Sequence, residues 1–342
     1  MRAAYFAEHG GPDVLRVGEL PDPEPARDGV VVEVAAAALN HLDLWVRRGL
    51  PGLDVALPHI GGSDIAGVVA DAGADVEGWS PGTRVVVDPG LWCGRCEWCR
   101  RGDQSLCPEY RILGEHVAGG FAERVAVPAR NLLAVPDGVD LETAAAAPLV
   151  YQTAWRALIT RAGLRAGEAL LVTGASGGVS TAAIQIAKLA GATVFAVTSG
   201  PENVRRVREL GADVAIDRLE EEFSRRVWGE TGKRGVDVVI DGVGEAVWEA
   251  CIRALAPGGR FVSYGATTGA RGRLDIRRLF WKQLVVLGST MGSPGEFERV
   301  MRLVFEGRVR PVVDDVLPLD RIRDAHERLE AGEVFGKLVL VP

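Results

Sequence analysis

The alternation of apolar and polar residues divides the chain into two parts. Residues 1 to about 90 contain short alternating segments, of which 30–34 is the strongest, separated by glycine- and proline-rich turns such as 21–29. This pattern predicts an irregular β-barrel. The middle of the chain instead alternates short apolar runs with stretches of helical periodicity, which predicts a parallel sheet covered by helices.

Residues 169–198 predict a strand, a turn, a helix and a second strand. Residues 169–173 are an apolar run long enough for one buried strand, and residues 174–180 are a turn of small residues. A helix is predicted over 181–190 and a second strand over 192–197. This order is a βαβ unit of a parallel sheet. In such a unit, the N–H groups of the turn and the helix N-terminus can hold a pyrophosphate.

Later segments extend this prediction to the C-terminus. Further strands are predicted at 236–241, 260–264 and 284–288, and helices at 141–163 and 295–307. The fold class predicted is α/β, with a Rossmann doubly wound parallel sheet domain and an irregular β-barrel domain. The predicted boundaries are 1–145 for the barrel domain, 146–290 for the dinucleotide-binding domain, and 291–342 for a segment returning to the first domain.

The small-residue turn partly matches the glycine fingerprint of dinucleotide-binding proteins. The pattern G-x-G-x-x-G falls on 175–180, where only the middle glycine, Gly177, is kept. Ala175 and Ser180 take the outer positions, and both are small enough for a tight turn. We interpret the segment as a nucleotide-binding turn, the alternative being an ordinary tight turn. The predicted cofactor-binding residues here and after the later strands are Gly174, Ser176, Gly177, Gly178, Val179, Val243 and Gly265.

The residues after the second strand favour NADP(H) over NAD(H). NAD-preferring folds place an acid at the end of this strand to bind the ribose 2′-OH. Here the strand ends in Thr198 and Ser199, with no acid before Glu202. Hydroxyls followed by arginines suit a 2′-phosphate, and Arg205 is the predicted ligand, with two more arginines just beyond it. The alternative is that these arginines form the solvated face of a helix.

Four of the five cysteines lie within residues 90–112. Their spacing is C-x2-C-x2-C-x7-C. Thiolates at this density can close a tetrahedral zinc site within one loop, and four cysteine ligands leave no open position. We therefore predict one structural zinc per chain, the alternative being a vestigial lobe without metal; Cys251 is predicted to be a core residue. The predicted ligands are Cys93, Cys96, Cys99 and Cys107.

Composition and charge narrow the class of protein. The chain has 342 residues, of which 47% are hydrophobic and 25% charged, as in soluble globular enzymes. A net charge of −7 gives no basic surface for nucleic acid. No uncharged run is apolar enough for a membrane span, and the N-terminus lacks a signal-peptide pattern. We expect a cytoplasmic protein without nucleic-acid or membrane partners.

The complete order of segments resembles the medium-chain dehydrogenase/reductase superfamily, which includes the zinc alcohol dehydrogenases and the quinone oxidoreductases. The resemblance rests on the cysteine lobe, on GASGGV at 174–179 and on VFGKLVLVP at 334–342, and it extends over essentially the whole chain. It implies a groESL-like N-terminal domain, an NAD(P)-dependent oxidoreductase acting on a small molecule, and a homodimer or homotetramer.

The residues that bind the catalytic zinc in the family's alcohol dehydrogenases are replaced in this chain. Alcohol dehydrogenases of the family have Cys-x-[Thr/Ser]-Asp where this chain has Asn40 to Asp43, and Gly-His-Glu where it has Gly62, Ser63 and Asp64. The third ligand falls near residues 149–151, where no thiolate or carboxylate is present. Asparagine and serine are poor zinc ligands. These positions are similar to the zinc-free quinone oxidoreductase branch.

Three functions follow as hypotheses. The first is an NADPH-dependent reductase of enones, quinones or enoyl thioesters, with Asn40, His41 and Tyr151 near the developing oxyanion. Each has a plainer alternative: Asn40 capping local backbone, His41 at a cofactor phosphate, and Tyr151 as part of the wall. The second is an alcohol or aldehyde dehydrogenase with an unusual metal site. The third is a non-catalytic NADPH-binding redox sensor.

Two further sets of residues are left open. An unusual metal site would draw its ligands from His41, His59, Asp64 and His116. An apolar substrate pocket would draw on large side chains that are equally suited to the core. These large side chains are Trp45, Trp92, Phe280, Trp281 and Met291.

Overall fold

The computed structural model describes residues 1–342, which form two compact units. Unit 1 contains Met1–Gln152 and Gly292–Pro342, and unit 2 contains Thr153–Met291. The chain first passes from unit 1 to unit 2 after Gln152, beyond the predicted boundary at 145. Gln152 still belongs to unit 1, where its side chain donates to Asp88. The C-terminal segment is part of unit 1.

The strands and helices are numbered in chain order. The strands are β1 (Arg2–Phe6), β2 (Leu15–Glu19), β3 (Gly29–Ala38), β4 (Asp64–Ala72), β5 (Arg84–Val87), β6 (Gly90–Leu91), β7 (Arg111–Ile112), β8 (Arg124–Pro128), β9 (Leu132–Ala134), β10 (Ala169–Val172), β11 (Thr193–Thr198), β12 (Val214–Asp217), β13 (Val236–Asp241), β14 (Leu255–Ser263), β15 (Val285–Gly288), β16 (Val313–Pro318) and β17 (Lys337–Val341). The helices are α1 (His41–Arg48), α2 (Glu97–Arg100), α3 (Leu141–Ala145), α4 (Pro148–Trp155), α5 (Gly178–Leu189), α6 (Pro201–Glu209), α7 (Phe223–Glu230), α8 (Trp248–Ala254), α9 (Ile276–Trp281), α10 (Pro294–Phe305) and α11 (Ile322–Ala331).

Unit 1 is built on a seven-stranded sheet in the order β16-β17-β3-β4-β5-β9, with β8 also paired to β3. The alternating segment predicted at 30–34 is the centre of β3, whose valines enter a core that also contains Ile65 and Leu338. β17, from the C-terminus, pairs antiparallel with β3, and β3 pairs antiparallel with β4. Three segments that are far apart in sequence therefore meet at one edge of the sheet. At this edge β3 ends at Ala38, β4 begins at Asp64 and β17 begins at Lys337.

Unit 2 contains a parallel six-stranded sheet in the order β12-β11-β10-β13-β14-β15. This is the doubly wound order of the Rossmann fold, in which the strand sequence reverses between the first strand, β10, and the fourth, β13. The predicted Rossmann sheet is confirmed. Periodicity placed β10, α5 and β11 within a few residues of their observed bounds, because apolar runs and the glycines that end them are local signals.

The single helix predicted over 141–163 is wrong. The structure has α3, a break at residues 146–147, then α4, which continues into a π-helical stretch at Arg156–Arg161. Pro148 explains the break, since proline disfavours a helical conformation in the residue before it and has no N–H to continue a helix. Proline is instead well suited to the first position of a new helix.

The edge of the unit 2 sheet is apolar and uncovered within the chain. β15 is the last strand of the sheet, and its Val285 and Val286 are both exposed. Phe280 and Trp281 of the preceding helix α9 are 63% and 82% exposed. Neither aromatic residue therefore lines an enclosed pocket within this chain. No helix of the structure is both long and apolar enough to span a membrane.

Candidate functional site

A buried polar cluster occupies the edge where β3, β4 and β17 meet. The Lys337 ammonium donates to Asn40 Oδ1 at 2.6 Å and to Asp64 Oδ2 at 2.8 Å. Asn40 Nδ2 also donates to Asp64 Oδ2, at 2.9 Å. The side chains of Lys337 and Asp64 are 3% and 0% exposed. A charge buried this deeply requires a partner, and here the partner is an opposite charge at hydrogen-bond distance.

Backbone contacts fix the Asp64 carboxylate from a second direction. Its Oδ1 accepts the N–H of Leu149, in the first turn of α4, at 2.7 Å. Leu149 belongs to residues 149–151, the segment to which the resemblance assigned the third zinc ligand of the family. The cluster therefore gathers Asn40, Asp64 and the start of α4 around an ammonium group.

Asp43 orders the two segments that flank the cluster. One carboxylate oxygen accepts the N–H of Asn40 at 2.7 Å, and the other accepts the N–H of Gly62 at 2.9 Å. Burial raises the pKa of Asp43 to about 6, against the lowering effect of these two hydrogen bonds. Ser63, next in the chain, is fully buried, and its hydroxyl oxygen has no protein partner.

The three predicted catalytic residues differ in accessibility. Asn40 is buried, and its carboxamide is engaged by Lys337, Asp64 and the Ala38 carbonyl. Tyr151 is 1% exposed. His41, the first residue of α1, remains exposed, although neighbouring protein atoms desolvate it enough to lower its pKa, with the charges of Arg48 and Lys337 adding to the effect. His41 is thus the accessible hydrogen-bonding group of the three.

The structure does not bring together the ligands of an unusual metal site. His59 is buried, and its Nε2 lies 3.0 Å from the Gly114 carbonyl. Nδ1 of His116 accepts the N–H of Ile112 at 3.2 Å. The four cysteines are the one group of three or more His, Cys, Asp or Glu side chains whose ligand atoms converge. Sequence reasoning grouped the histidines by residue type alone, and the fold separates them.

Glu115 was missed by sequence reasoning. Its side chain is 11% exposed and lies 3.6 Å from His116 Nδ1. Burial, with a contribution from the Asp43 charge, raises the pKa of Glu115 to about 7. Gly114 packs against Gly62 so closely that a Cβ there would lie 2.6 Å from the Gly62 carbonyl carbon. This close packing places the Glu115 turn beside the segment that contains Ser63.

The cysteine lobe has the geometry of a closed metal site. The four sulfurs lie within 4.8 Å of one another, and those of Cys93 and Cys99 are 3.9 Å apart. A zinc ion bonded to four sulfurs at about 2.3 Å requires sulfur–sulfur distances of roughly 3.8 Å. Backbone N–H groups donate to the sulfurs of Cys93, Cys96 and Cys107 at 3.4 Å each. The lobe therefore fits a structural zinc.

The predicted nucleotide-binding turn connects β10 to α5 at the carboxyl edge of the parallel sheet. Gly174 has a φ of +51°, and Gly177 is the N-cap of the twelve-residue helix α5. The first N–H groups of a helix have no partner within it and attract an anion. At Gly174, an added Cβ would meet Val243, from the turn after β13, at 3.0 Å. Gly265 follows β14 at the same edge.

Asp241 holds the neighbouring turn in place. Its carboxylate accepts the Thr173 hydroxyl at 2.5 Å and the N–H groups of Val243 and Gly244 at 3.2 and 2.9 Å. The Ser180 hydroxyl donates to the Thr173 carbonyl at 2.8 Å and lies 3.1 Å from the Tyr264 hydroxyl. The small-residue turn therefore rests on a rigid polar frame, which suits a pyrophosphate cradle.

The geometry at the end of β11 supports only part of the prediction that the chain prefers NADP(H) to NAD(H). The Thr198 hydroxyl is buried without a protein partner. Arg205, predicted to bind a 2′-phosphate, is instead paired with Glu202 at 2.5 Å and with Glu209 at 2.5 Å on the exposed face of α6. These partners lie three and four residues away, the spacing at which helix side chains meet. This pairing favours the alternative interpretation of Arg205, as part of the solvated face of a helix.

Comparisons with known proteins identify the family. Residues 26–137 match the family described as "Alcohol dehydrogenase GroES-like domain", and residues 178–306 match "Zinc-binding dehydrogenase". An NAD-dependent alcohol dehydrogenase of Sulfolobus acidocaldarius is 33% identical, with 99% of each chain covered. The chain belongs to the medium-chain dehydrogenase/reductase superfamily. It is an NAD(P)-dependent oxidoreductase, as the resemblance implied.

Other members of the superfamily give two different activities. An acryloyl-coenzyme A reductase of Metallosphaera sedula is 33% identical, with 95% of each chain covered. A crystal structure of an NAD-dependent alcohol dehydrogenase superimposes with a TM-score of 0.96 at 46% identity, covering 100% of both chains. Both an acryloyl-coenzyme A reductase and an alcohol dehydrogenase are thus among the proteins that this chain resembles.

Proposed function

We propose that this protein reduces an activated C=C bond or a quinone, using NADPH and no catalytic metal. The proposal rests chiefly on the donor set at the buried cluster. The positions of the family's catalytic ligands carry Asn40 and Ser63, which are poor zinc ligands, and a lysine ammonium is bonded to Asn40 and Asp64. A cation held there would oppose the approach of a divalent ion to the same side chains.

Conjugate reduction suits a site with hydrogen-bond donors and no Lewis acid. NADPH, when bound, supplies a hydride to the β-carbon of the substrate. The negative charge then develops on the carbonyl oxygen of an enolate, where fixed donors stabilise it, and a proton taken up from water at the α-carbon completes the saturated product. Reduction of a simple aldehyde would instead form a strongly basic alkoxide that needs a dedicated proton donor. The substrate class is therefore an enone, a quinone or an enoyl thioester.

The three predicted catalytic residues take distinct roles in this proposal. His41 is exposed at the start of α1, and its lowered pKa keeps the imidazole neutral at neutral pH, with one N–H to donate. Asn40 and Tyr151 are both buried, and Asn40 positions the surrounding backbone. Asn40 does so through Lys337 and Asp64, and its N–H is held by Asp43.

An alcohol or aldehyde dehydrogenase is the second candidate. The similarity to the alcohol dehydrogenase of Sulfolobus acidocaldarius and to the alcohol dehydrogenase structure with a TM-score of 0.96 favours it. Both of those proteins are NAD-dependent alcohol dehydrogenases, whereas the absence of an acid at Thr198 favours NADP(H) in this chain. The acryloyl-coenzyme A reductase favours the first candidate.

We also propose one structural zinc per chain and self-association. The four-cysteine lobe is closed and has no open coordination position, so its metal acts through folding. Val285 and Val286 on the sheet edge, together with Trp281, offer apolar surface and unpaired strand backbone to a second copy of the chain. Light scattering of wild type and Val285→Lys, with dissociation expected for the variant, tests this assembly.

The function is tested by a substrate panel combined with metal analysis. Enones, quinones, enoyl thioesters, aldehydes and alcohols are assayed with NADPH, NADH and their oxidised forms. We expect NADPH oxidation with a conjugated substrate and one zinc per chain. Turnover confined to alcohols and aldehydes, with two metals per chain, would establish the second candidate. His41→Ala is expected to lower kcat/KM by about tenfold or more, which corresponds to roughly 1.4 kcal/mol.

A further inference from the structure

Unit 2 carries an open groove of its own on α7, α8 and α9. The groove has a volume of about 520 Å³ and is lined by four cationic side chains, one carboxylate and an indole. None of the glycine-turn residues 174–179 lines it. The charged and aromatic side chains that line the groove are Arg225, Arg253, Arg278, Lys282, Glu222 and Trp228.

The positive charge of the groove is largely uncompensated within the chain. The guanidinium groups of Arg225 and Arg278 form no ion pair, and the hydrogen bonds that these residues donate come from their backbone N–H groups, to Glu222 and Asp275. Glu222 is the one acid in the lining, and its oxygens already accept from Ser224 and from the N–H of Arg225. The nearest cation, Arg253, lies 3.5 Å from it. Three positive charges therefore remain in excess, on a chain whose net charge is −7.

The indole and the lysine give the groove a defined geometry. Trp228 is 41% exposed, and the Lys282 ammonium lies 5.7 Å from its ring centroid. The same ammonium donates to the Leu255 carbonyl at 2.6 Å, which fixes its position. Burial and the nearby Arg278 charge lower the pKa of Lys282. Like charges gathered at one place repel each other, and a bound anion would relieve that repulsion.

We propose that this groove is a second ligand site, separate from the glycine turn, that binds a nucleoside diphosphate. Arg225 and Arg278 present guanidinium groups to the phosphates, with the planar, two-pronged geometry that suits phosphate oxygens. Trp228 offers an exposed aromatic face on which a base stacks. A volume of about 520 Å³ lies within the range of small-molecule sites.

Titration of ADP into the full-length protein saturated with NADPH tests the proposal, because NADPH blocks adenine binding at the glycine turn. We expect ADP binding that weakens as salt is raised. The double variant Arg225→Gln/Arg278→Gln should bind ADP at least about tenfold more weakly, which corresponds to roughly 1.4 kcal/mol. Arg16→Gln, an exposed arginine of unit 1, is the matched control and should bind ADP like wild type.

Inorganic pyrophosphate separates the phosphate contacts from the stacking contact. Trp228→Leu should weaken ADP binding while leaving pyrophosphate binding unchanged. NADPH affinity and thermal stability should be the same in wild type and all variants. The proposal is overturned if ADP fails to bind the NADPH-saturated wild type at millimolar concentration. It is equally overturned if the double variant binds ADP like the Arg16→Gln control.

Discussion

The Lys337 ammonium and the Asp64 carboxylate, 273 residues apart in sequence, form an ion pair of 2.8 Å in the interior of unit 1. Removing one partner of a buried pair leaves an uncompensated charge. We therefore predict that Lys337→Met lowers the free energy of unfolding by about 3–5 kcal/mol. Urea denaturation, compared with wild type, measures the effect.

A surface ion pair of the same length provides the control for this prediction. Lys188 and Asp213 also lie 2.8 Å apart, but their side chains are 36% and 40% exposed. Lys188→Met should lower the free energy of unfolding by no more than about 1 kcal/mol. Equal costs for the two lysine variants would show that burial does not strengthen the Lys337–Asp64 interaction as claimed.

The cysteine lobe predicts the metal content. Because its four sulfurs form the one converging ligand set of the chain, protein purified without added metal should contain about one zinc per chain. Cys96→Ser should lose the zinc and lower Tm, since closed zinc sites stabilise the folded state. Cys251→Ser, at a buried thiol outside the lobe, should retain the zinc. Elemental analysis giving near zero or near two zinc ions would contradict this account.

The end of β11 predicts the cofactor preference. Thr198 lacks the carboxylate that would bind a ribose 2′-OH, so NADPH should bind more tightly than NADH. Thr198→Asp should reverse the preference, and the near-isosteric Thr198→Val should not. Arg205→Gln should change NADPH affinity little, because Glu202 and Glu209 already engage the guanidinium. Fluorescence titration measures these affinities, and equal binding of the two cofactors by wild type would refute the prediction.

Asp88 predicts a pH dependence of stability. Burial raises the pKa of its carboxyl group to about 7, outweighing the hydrogen bonds from Gly90 and Gln152. The folded state therefore holds a proton that the unfolded state releases near pH 4, so the contribution is fully present below pH 4. This contribution is lost as the pH rises through 7, with a slope of at most about 1.4 kcal/mol per pH unit.

Asp88→Asn keeps the side chain neutral at every pH. The variant should therefore gain stability relative to wild type as the pH is raised from 5 to 8. Asp137→Asn, at an exposed carboxylate, is the control and should follow wild type. Urea denaturation across this range checks the prediction, and a constant difference between Asp88→Asn and wild type would disprove it.

Local signals made much of the fold predictable. The apolar runs of β10 and β13 and the glycines beside them identified the parallel sheet, and the cysteine spacing identified the lobe. One error could also have been avoided from sequence, because Pro148 marks the break between α3 and α4. Glu202 and Glu209 likewise stand at the spacing that allows them to pair with Arg205, which the sequence already shows.

The polar cluster could not be derived in the same way. Lys337 reads as an ordinary charged residue at the start of a C-terminal strand, and its partners Asn40 and Asp64 are remote in sequence. Only the pairing of β17 with β3, and of β3 with β4, brings these side chains together. Glu115 depends in the same way on the packing of Gly114 against Gly62.

Hydride transfer to carbon in a metal-stripped active site is the most direct test of the proposed function. Protein treated with a chelator that leaves the cysteine lobe loaded is given a conjugated enone and NADPH deuterated at the transferred position. We predict the same rate as for untreated protein given the same deuterated NADPH, and a saturated product with deuterium on the β-carbon. Deuterium on the carbonyl carbon, or a rate that falls with chelator and returns with added zinc, would contradict metal-free conjugate reduction.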